Sequence, residues 1–134
     1  MEPLGFSQLK AKYSYFFDPN IKIKCEYGWQ KIIEDFCAAI ALVLNNGDYK
    51  DFIIKQLRQK VGILTIDYDG GDDLIKEIVD FTERLSYNTC EVCGDSGELY
   101  AQAKWAKWSL YKTLCHEHAI QFYYYEIKIR KSSK

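Results

Sequence analysis

Three cysteines and a histidine concentrate the chemistry of this chain. Cys90-Glu91-Val92-Cys93-Gly94 is followed, after 21 intervening residues, by Cys115-His116-Glu117-His118, so the pattern is C-x2-C-x21-C-x2-H. Two residues between thiols let both sulfurs of one tight turn converge on a single ion, and a glycine after the second cysteine lets backbone amides turn toward them. Three thiolates with one imidazole suit tetrahedral zinc, at about 2.3 Å for sulfur and about 2.0–2.1 Å for nitrogen. The expected metal site is Cys90, Cys93, Cys115 and His118 around one structural Zn2+. His116 is the competing fourth ligand; we favour His118, since three residues on along a helix start a side chain shares the face of Cys115, and the next residue does not. Four protein ligands leave no coordination position for water or substrate, which makes the metal structural and argues against hydrolysis.

Other uses of these residue types fit less well. A disulfide needs an oxidising compartment, and a thioredoxin-like Cys-x-x-Cys belongs near a βαβ pattern without a matched second pair. Cys25 and Cys37 read as buried thiols: Cys37 falls in a helix seam and Cys25 has no partner at metal spacing. A His-Asn-His nuclease needs a histidine base on the finger hairpin, but residues 94–114 contain none. Asp69-Gly70-Gly71-Asp72-Asp73 is too acidic to cradle phosphate, and no elbow motif surrounds a serine. The chain is therefore expected not to be an enzyme.

The elements that must position the site can be read around it. Glu98 to Ala103 and Trp108 to Thr113 have the form of two short strands joined around Lys104 to Lys107. From Cys115 onward, Ala119, Phe122 and Tyr123 follow at helical spacing, so the second ligand pair falls on the first turn of a helix. Knuckle, hairpin and helix in that order describe a treble-clef finger. Upstream, Trp29, Ile32, Ile33, Phe36, Cys37, Ile40, Val43 and Leu44 form one face of a core helix that stops at Asn45-Asn46-Gly47, where a left-handed residue can close it. Pro19 marks a turn ending an aromatic N-terminal segment with a short helix over Ser7 to Tyr13. Residues 51–60 are ambiguous between a short helix and an edge strand, and Val61 to Tyr68 reads as a strand with Leu64, Ile66 and Tyr68 on one face. An aspartate near Gly70-Gly71 caps a helix over about Asp73 to Ser86, whose apolar seam is expected at Leu74, Ile78, Phe81 and Leu85. The fold class is α+β, a small helical and strand N-terminal portion packed on a C-terminal treble-clef-like zinc finger.

At 134 residues, 48% hydrophobic and 28% charged, the chain fits one domain, with residues 1–87 as the α+β core, 88–125 as the finger and 126–134 as a basic tail. No apolar run approaches the roughly 20 residues that cross a bilayer, and the N-terminus lacks the form of a secretory signal. The expectation is a complete cytoplasmic protein with no membrane partner. A net charge of -1 hides strong segregation: residues 1–62 carry +2, residues 63–97 carry -7 and residues 98–134 carry +4. The acids Asp69, Asp72, Asp73, Glu77, Asp80 and Glu83 read either as a solvated helix face or as a docking surface for a basic partner. Lys104, Trp105, Lys107, Trp108 and Lys112, with Lys128, Arg130 and Lys131 of the tail, are the alternative interface, since bases interleaved with stacking residues suit single-stranded nucleic acid. Against this, the finger aromatics can instead pack around the zinc, and a pI near 6.1 is low for a dedicated binder.

The combined motifs resemble a family of small uncharacterised phage and prophage proteins. The resemblance rests on Cys25-Glu26-Tyr27-Gly28-Trp29, Phe36-Cys37, Lys60-Val61-Gly62-Ile63-Leu64, Gly70-Gly71-Asp72, Cys90-Glu91-Val92-Cys93-Gly94, Trp108 and Thr113-Leu114-Cys115-His116-Glu117-His118-Ala119. It spans roughly residues 20–120 and implies a phage-type origin and a zinc finger, with no reaction attached. The chain departs from the pattern at its aromatic and basic end, Phe122 to Lys131. The function expected is a non-enzymatic accessory protein that binds and inhibits or retargets a host protein in the cytoplasm of an infected or lysogenic bacterial cell, in a counter-defence or anti-CRISPR-like role. Nucleic-acid binding by the finger hairpin and basic C-terminus is the alternative.

Overall fold

The computed structural model describes residues 4–101, 111–121 and 125–126, with backbone alone at 4, 125 and 126. Helix α1 (Leu4–Lys12) leads into strand β1 (Phe17–Lys24), which pairs in parallel with β2 (Ile53–Lys60). Between them the chain crosses over through a 3-10 turn at Tyr27–Trp29 and helix α2 (Gln30–Asn45), which makes a βαβ unit. Pro19, expected in a turn, sits inside β1, where the register slips between Phe17 and Lys22. An irregular edge strand is where a residue without an amide hydrogen fits.

Of residues 51–60, Ile53–Lys60 form the central strand of a three-stranded sheet ordered β1-β2-β3, not an edge. Strand β3 (Ile63–Asp69) runs antiparallel to β2 after a two-residue turn, Val61-Gly62, with φ of 53° and 80°. Positive φ at both turn residues matches the twist of a hairpin, but a β-branched residue is a costly occupant of that conformation. One sheet face is apolar: Ile21, Ile23, Ile54, Leu57, Leu64 and Ile66 join Phe6, Ile33, Phe36, Ile40, Ile75 and Val79 of the helices in one buried cluster. The other face is polar, with cross-strand rows Lys22–Gln56–Asp67 and Lys24–Arg58–Thr65 and the pair Lys60–Ile63.

The apolar face expected for α2 is the buried one, from Ile32 to Ile40. Its end is not closed by a left-handed residue: Asn46 has φ -110°, and its side-chain amide donates to the Leu42 carbonyl instead. Helix α3 (Asp73–Ser86) starts where expected, with the Asp72 carboxylate accepting the Ile75 amide at 3.1 Å. Its buried face, however, is Ile75, Val79, Thr82 and Ser86, while Leu74, Phe81 and Leu85 are 49%, 57% and 40% exposed. The reason is the free edge of β3. The Ser86 hydroxyl accepts the Leu64 amide and the Glu83 carboxylate accepts the Ile66 amide, both at 2.9 Å. Two strand amides that would otherwise be buried without partners thus fix the rotation of the helix.

The C-terminal part holds strands β4 (Glu98–Ala101), β5 (Tyr111–Leu114) and β6 (Tyr125–Glu126) in the order β5-β4-β6, with helix α4 (His116–Gln121) between the last two in sequence. The expected hairpin is therefore present as β4 and β5, and its tip at residues 102–110 lies outside the described residues. Glu126, read from sequence as the first residue of the tail, lies in β6 and pairs with Tyr100 of β4. The described residues include no helix long and apolar enough to cross a membrane.

Candidate metal centre

The tight turn at Cys90–Gly94 is closed by the Gly94 amide on the Cys90 carbonyl at 2.9 Å, with Gly94 at φ 86°. That left-handed conformation is open to glycine at no steric cost. It sets Cys90 and Cys93 side by side. The second pair comes from the start of α4: Cys115 directly precedes the helix, and His118 lies in its first turn. The helix is short, and the bond from the Ala119 amide to the Cys115 carbonyl at 3.0 Å holds its first turn.

One ligand atom from each of Cys90, Cys93, Cys115 and His118 lies within 4.8 Å of every other. Cys93 Sγ is 3.8 Å from Cys115 Sγ, and His118 Nδ1 is 3.7 Å from Cys90 Sγ and 3.1 Å from Cys115 Sγ. With bonds of about 2.3 and about 2.05 Å at tetrahedral angles, sulfurs would stand about 3.8 Å apart and sulfur and nitrogen about 3.5 Å apart. The donor set therefore has the size of a tetrahedral zinc site. His116 is exposed and outside the cluster, as expected.

The electrostatics of the cluster ask for a cation. Burial opposes the Cys90 thiolate, but amides of Cys115, Cys93 and Val92 outweigh it and bring the thiol down to about 7. Desolvation and the neighbouring Cys90 and Cys115 sulfurs push Cys93 the other way, up to about 12. Thiols this close cannot all ionise side by side in the absence of positive charge, and a divalent ion reverses that balance. Burial first, and nearby carboxylates second, raise Cys25 and Cys37 to about 12, which keeps them neutral thiols outside the cluster.

Glu91, between the first two ligands, escaped the sequence reading. It is 1% exposed and fastens the knuckle to the α/β layer. Its carboxylate accepts the Glu26 amide at 3.1 Å, its carbonyl accepts the Gly28 amide at 2.6 Å, and its own amide donates to the Thr113 carbonyl at 2.8 Å. Its second oxygen faces Lys112 Nζ at 3.6 Å. Burial raises its pKa despite that ammonium. A side chain at Gly28 would collide with the Cys90 and Glu91 backbone, so the contact needs glycine. The Trp29 indole donates to the Thr89 carbonyl at 3.0 Å, and the Thr113 hydroxyl donates to the Gly62 carbonyl at 2.7 Å. No local signal announces Glu91, because each of its partners lies far away in sequence.

The six acids of the expected docking face divide by role. Asp72 caps α3 and accepts the Tyr49 hydroxyl, and the Ile75 amide first and that hydroxyl second hold its pKa below the usual carboxylate range. Asp69 pairs with Lys55 at 2.6 Å, and Glu83 turns inward to β3, where burial raises its pKa. Only Asp73, Glu77 and Asp80 are left on the outer side of α3, with Asp80 bound to Lys76 at 2.9 Å. Of the expected nucleic-acid residues, Lys112 is drawn toward Glu91 and Glu26, away from a ligand-facing role. Lys104, Trp105, Lys107, Trp108, Lys128, Arg130 and Lys131 lie outside the described residues.

No protein-family model, curated protein or solved structure matches this chain. Fold and donor set define a mixed α+β protein whose C-terminal part carries a cluster of three cysteines and one histidine suited to a metal ion.

Proposed function

We propose that the chain is a non-enzymatic zinc-binding accessory protein of phage type, which binds a host protein and inhibits or retargets it in a counter-defence role. One zinc ion on Cys90, Cys93, Cys115 and His118 completes a treble-clef-like finger, and four filled positions make it a structural staple. The observation that carries the binding reading is α3, whose outer side combines Asp73, Glu77 and Asp80 with the exposed side chains of Leu74, Phe81 and Leu85. A rigid helix presenting exposed apolar side chains among carboxylates suits a protein surface better than a reaction. The test is affinity capture from bacterial host lysate with the zinc-loaded full chain. A stoichiometric protein retained by the wild type and lost on Asp73→Lys with Glu77→Lys supports the reading; no stoichiometric protein on the wild type overturns it.

One observation favours nucleic acid as a second reading, at a place other than the finger. Lys22, Lys24, Arg58 and Lys60 share the open sheet face, where the registered rows add two acids, Asp67, paired with Arg58 at 3.6 Å, and Asp69, paired with Lys55 at 2.6 Å. Such a face can follow a phosphate backbone, and its binding would weaken steeply with salt. Oligonucleotide retention lost on Lys24→Glu with Lys60→Glu would place that contact on the sheet. Loss on Lys104→Glu with Lys107→Glu would return it to the hairpin, and no retention at low salt sinks both.

A further inference from the structure

We infer that the groove between α2 and α3 is a docking site for a basic amphipathic helix of the partner; this rests on the protein-binding reading and names its surface and ligand. The groove has a volume of about 260 Å³ and an apolar floor built from Ile32, Phe36, Ala39, Ile78 and Phe81. It exists because the Ser86 hydroxyl and Glu83 carboxylate bonds to β3 turn Ile75 and Val79 into the core and leave Leu74, Phe81 and Leu85 outside, with Ile78 half-buried between them. Leu74, Ile78, Phe81 and Leu85 recur at four, three and four residues, which is the spacing that receives knobs from another helix. From the first to the last is a length of about 17 Å at about 1.5 Å per residue, so about three turns of a partner helix fill it.

Charge selects the partner. The charged side chains lining the groove are Asp35 and Glu77, both acidic. Asp35 is held by Lys31 at 2.8 Å and Asp80 by Lys76 at 2.9 Å, which leaves Glu77 as the lining acid with no ion pair among the described residues. A second copy of the chain seated here about a two-fold axis would bring two copies of Glu77 into one interface, where they repel. A helix with leucines at i, i+3, i+4 and i+7 and lysines along its flanks meets both the floor and the rim.

The probe is a synthetic leucine–lysine helical peptide of that pattern, titrated into the zinc-loaded full chain, beside the same peptide with glutamate for every lysine. The lysine peptide is expected to bind at one per chain and the glutamate peptide at least tenfold more weakly. Leu74→Gln with Phe81→Gln should weaken the lysine peptide about tenfold or more, with melting temperature and zinc content unchanged because both side chains are already exposed. Asp35→Lys with Glu77→Lys should reverse the preference between the two peptides. Equal binding of both peptides, or binding indifferent to these variants, overturns the assignment. So does sedimentation showing a wild-type dimer that the Gln variant abolishes, since the occupant is then a second copy. Host protein captured equally by the wild type and the Gln variant defeats the groove while the protein-binding reading stands. Capture by neither chain, with no peptide binding, defeats both.

Discussion

The α/β layer and the C-terminal part bury apolar surface to very different extents, and the contrast gives the proposed metal site its purpose. Among the described residues, twenty buried hydrophobic side chains unite the sheet with α1, α2 and α3, against four around the metal centre: Cys90, Tyr100, Leu114 and Ala119. Apolar burial at roughly 25 cal/mol per Å² can order the first region, but the four described side chains of the second are too few to offset the entropy of the backbone that carries them. A cation that binds only the folded arrangement of its ligands supplies what burial does not. The joint between the regions is polar, built from the Glu91, Gly28, Trp29 and Thr113 hydrogen bonds. Each region can therefore be perturbed separately.

The largest expected effect comes from the metal. Structural zinc contributes on the order of 10–16 kcal/mol of apparent binding free energy to small fingers. Chelation should abolish amide-exchange protection at Glu91, Gly94 and Ala119 while Leu64 and Ile66 keep theirs, since those two amides are bonded to Ser86 and Glu83 of α3. Loss of protection everywhere at once would erase the distinction between the regions. Next is Trp29→Ala, which empties a fully buried indole site and releases the Thr89 carbonyl. A loss of about 3–5 kcal/mol in urea unfolding is expected, with zinc still bound at one per chain. A loss near zero would mean that the apolar cluster is not what holds the layer.

A smaller effect of opposite sign tests the turn that meets the finger. Val61 adopts φ 53° at the tip of the β2–β3 hairpin and is mostly exposed. Asparagine tolerates that conformation, so Val61→Asn should stabilise by about 1 kcal/mol in urea unfolding; destabilisation would show that the valine side chain packs usefully. The smallest effect belongs to the α3 cap. Because Asp72 has its pKa depressed by the Ile75 amide and the Tyr49 hydroxyl, its contribution is present above the unfolded value near 3.8 and is lost as pH falls through the folded one. Asp72→Ala should flatten the acid limb of the urea midpoint between about pH 5 and about pH 3, leaving zinc content at neutral pH untouched. An unchanged acid limb would remove Asp72 from the layer's stability.

How much of this was legible in the sequence depends on which force does the holding. Metal-ligand spacing does not depend on hydropathy, so the clustering of Cys90, Cys93, Cys115 and His118 could be read directly. Helix α2 was legible because apolar burial drives it, and its 3.6-residue period follows. Helix α3 showed its limits but hid its orientation. Thr82 and Ser86 are polar by type yet buried, their hydroxyls bonded to the Ile78 and Glu83 carbonyls, and the apolar stripe is outside. Central strand β2 was obscured by Lys55, Gln56, Arg58 and Gln59, and by a register shift between Ile54 and Gln56 that breaks its alternation. Glu91 was hidden for the same reason as any long-range polar joint, since nothing near it in sequence names its partners.

The central claim is that four named side chains hold one zinc ion and that the finger depends on it. Metal analysis of the purified folded chain by mass spectrometry tests this most directly. The expected result is one zinc per chain, lost in Cys93→Ser and in His118→Ala and kept in Cys25→Ser, Cys37→Ser and His116→Ala. Less than one zinc per wild-type chain, or full zinc retained by Cys93→Ser, would contradict it.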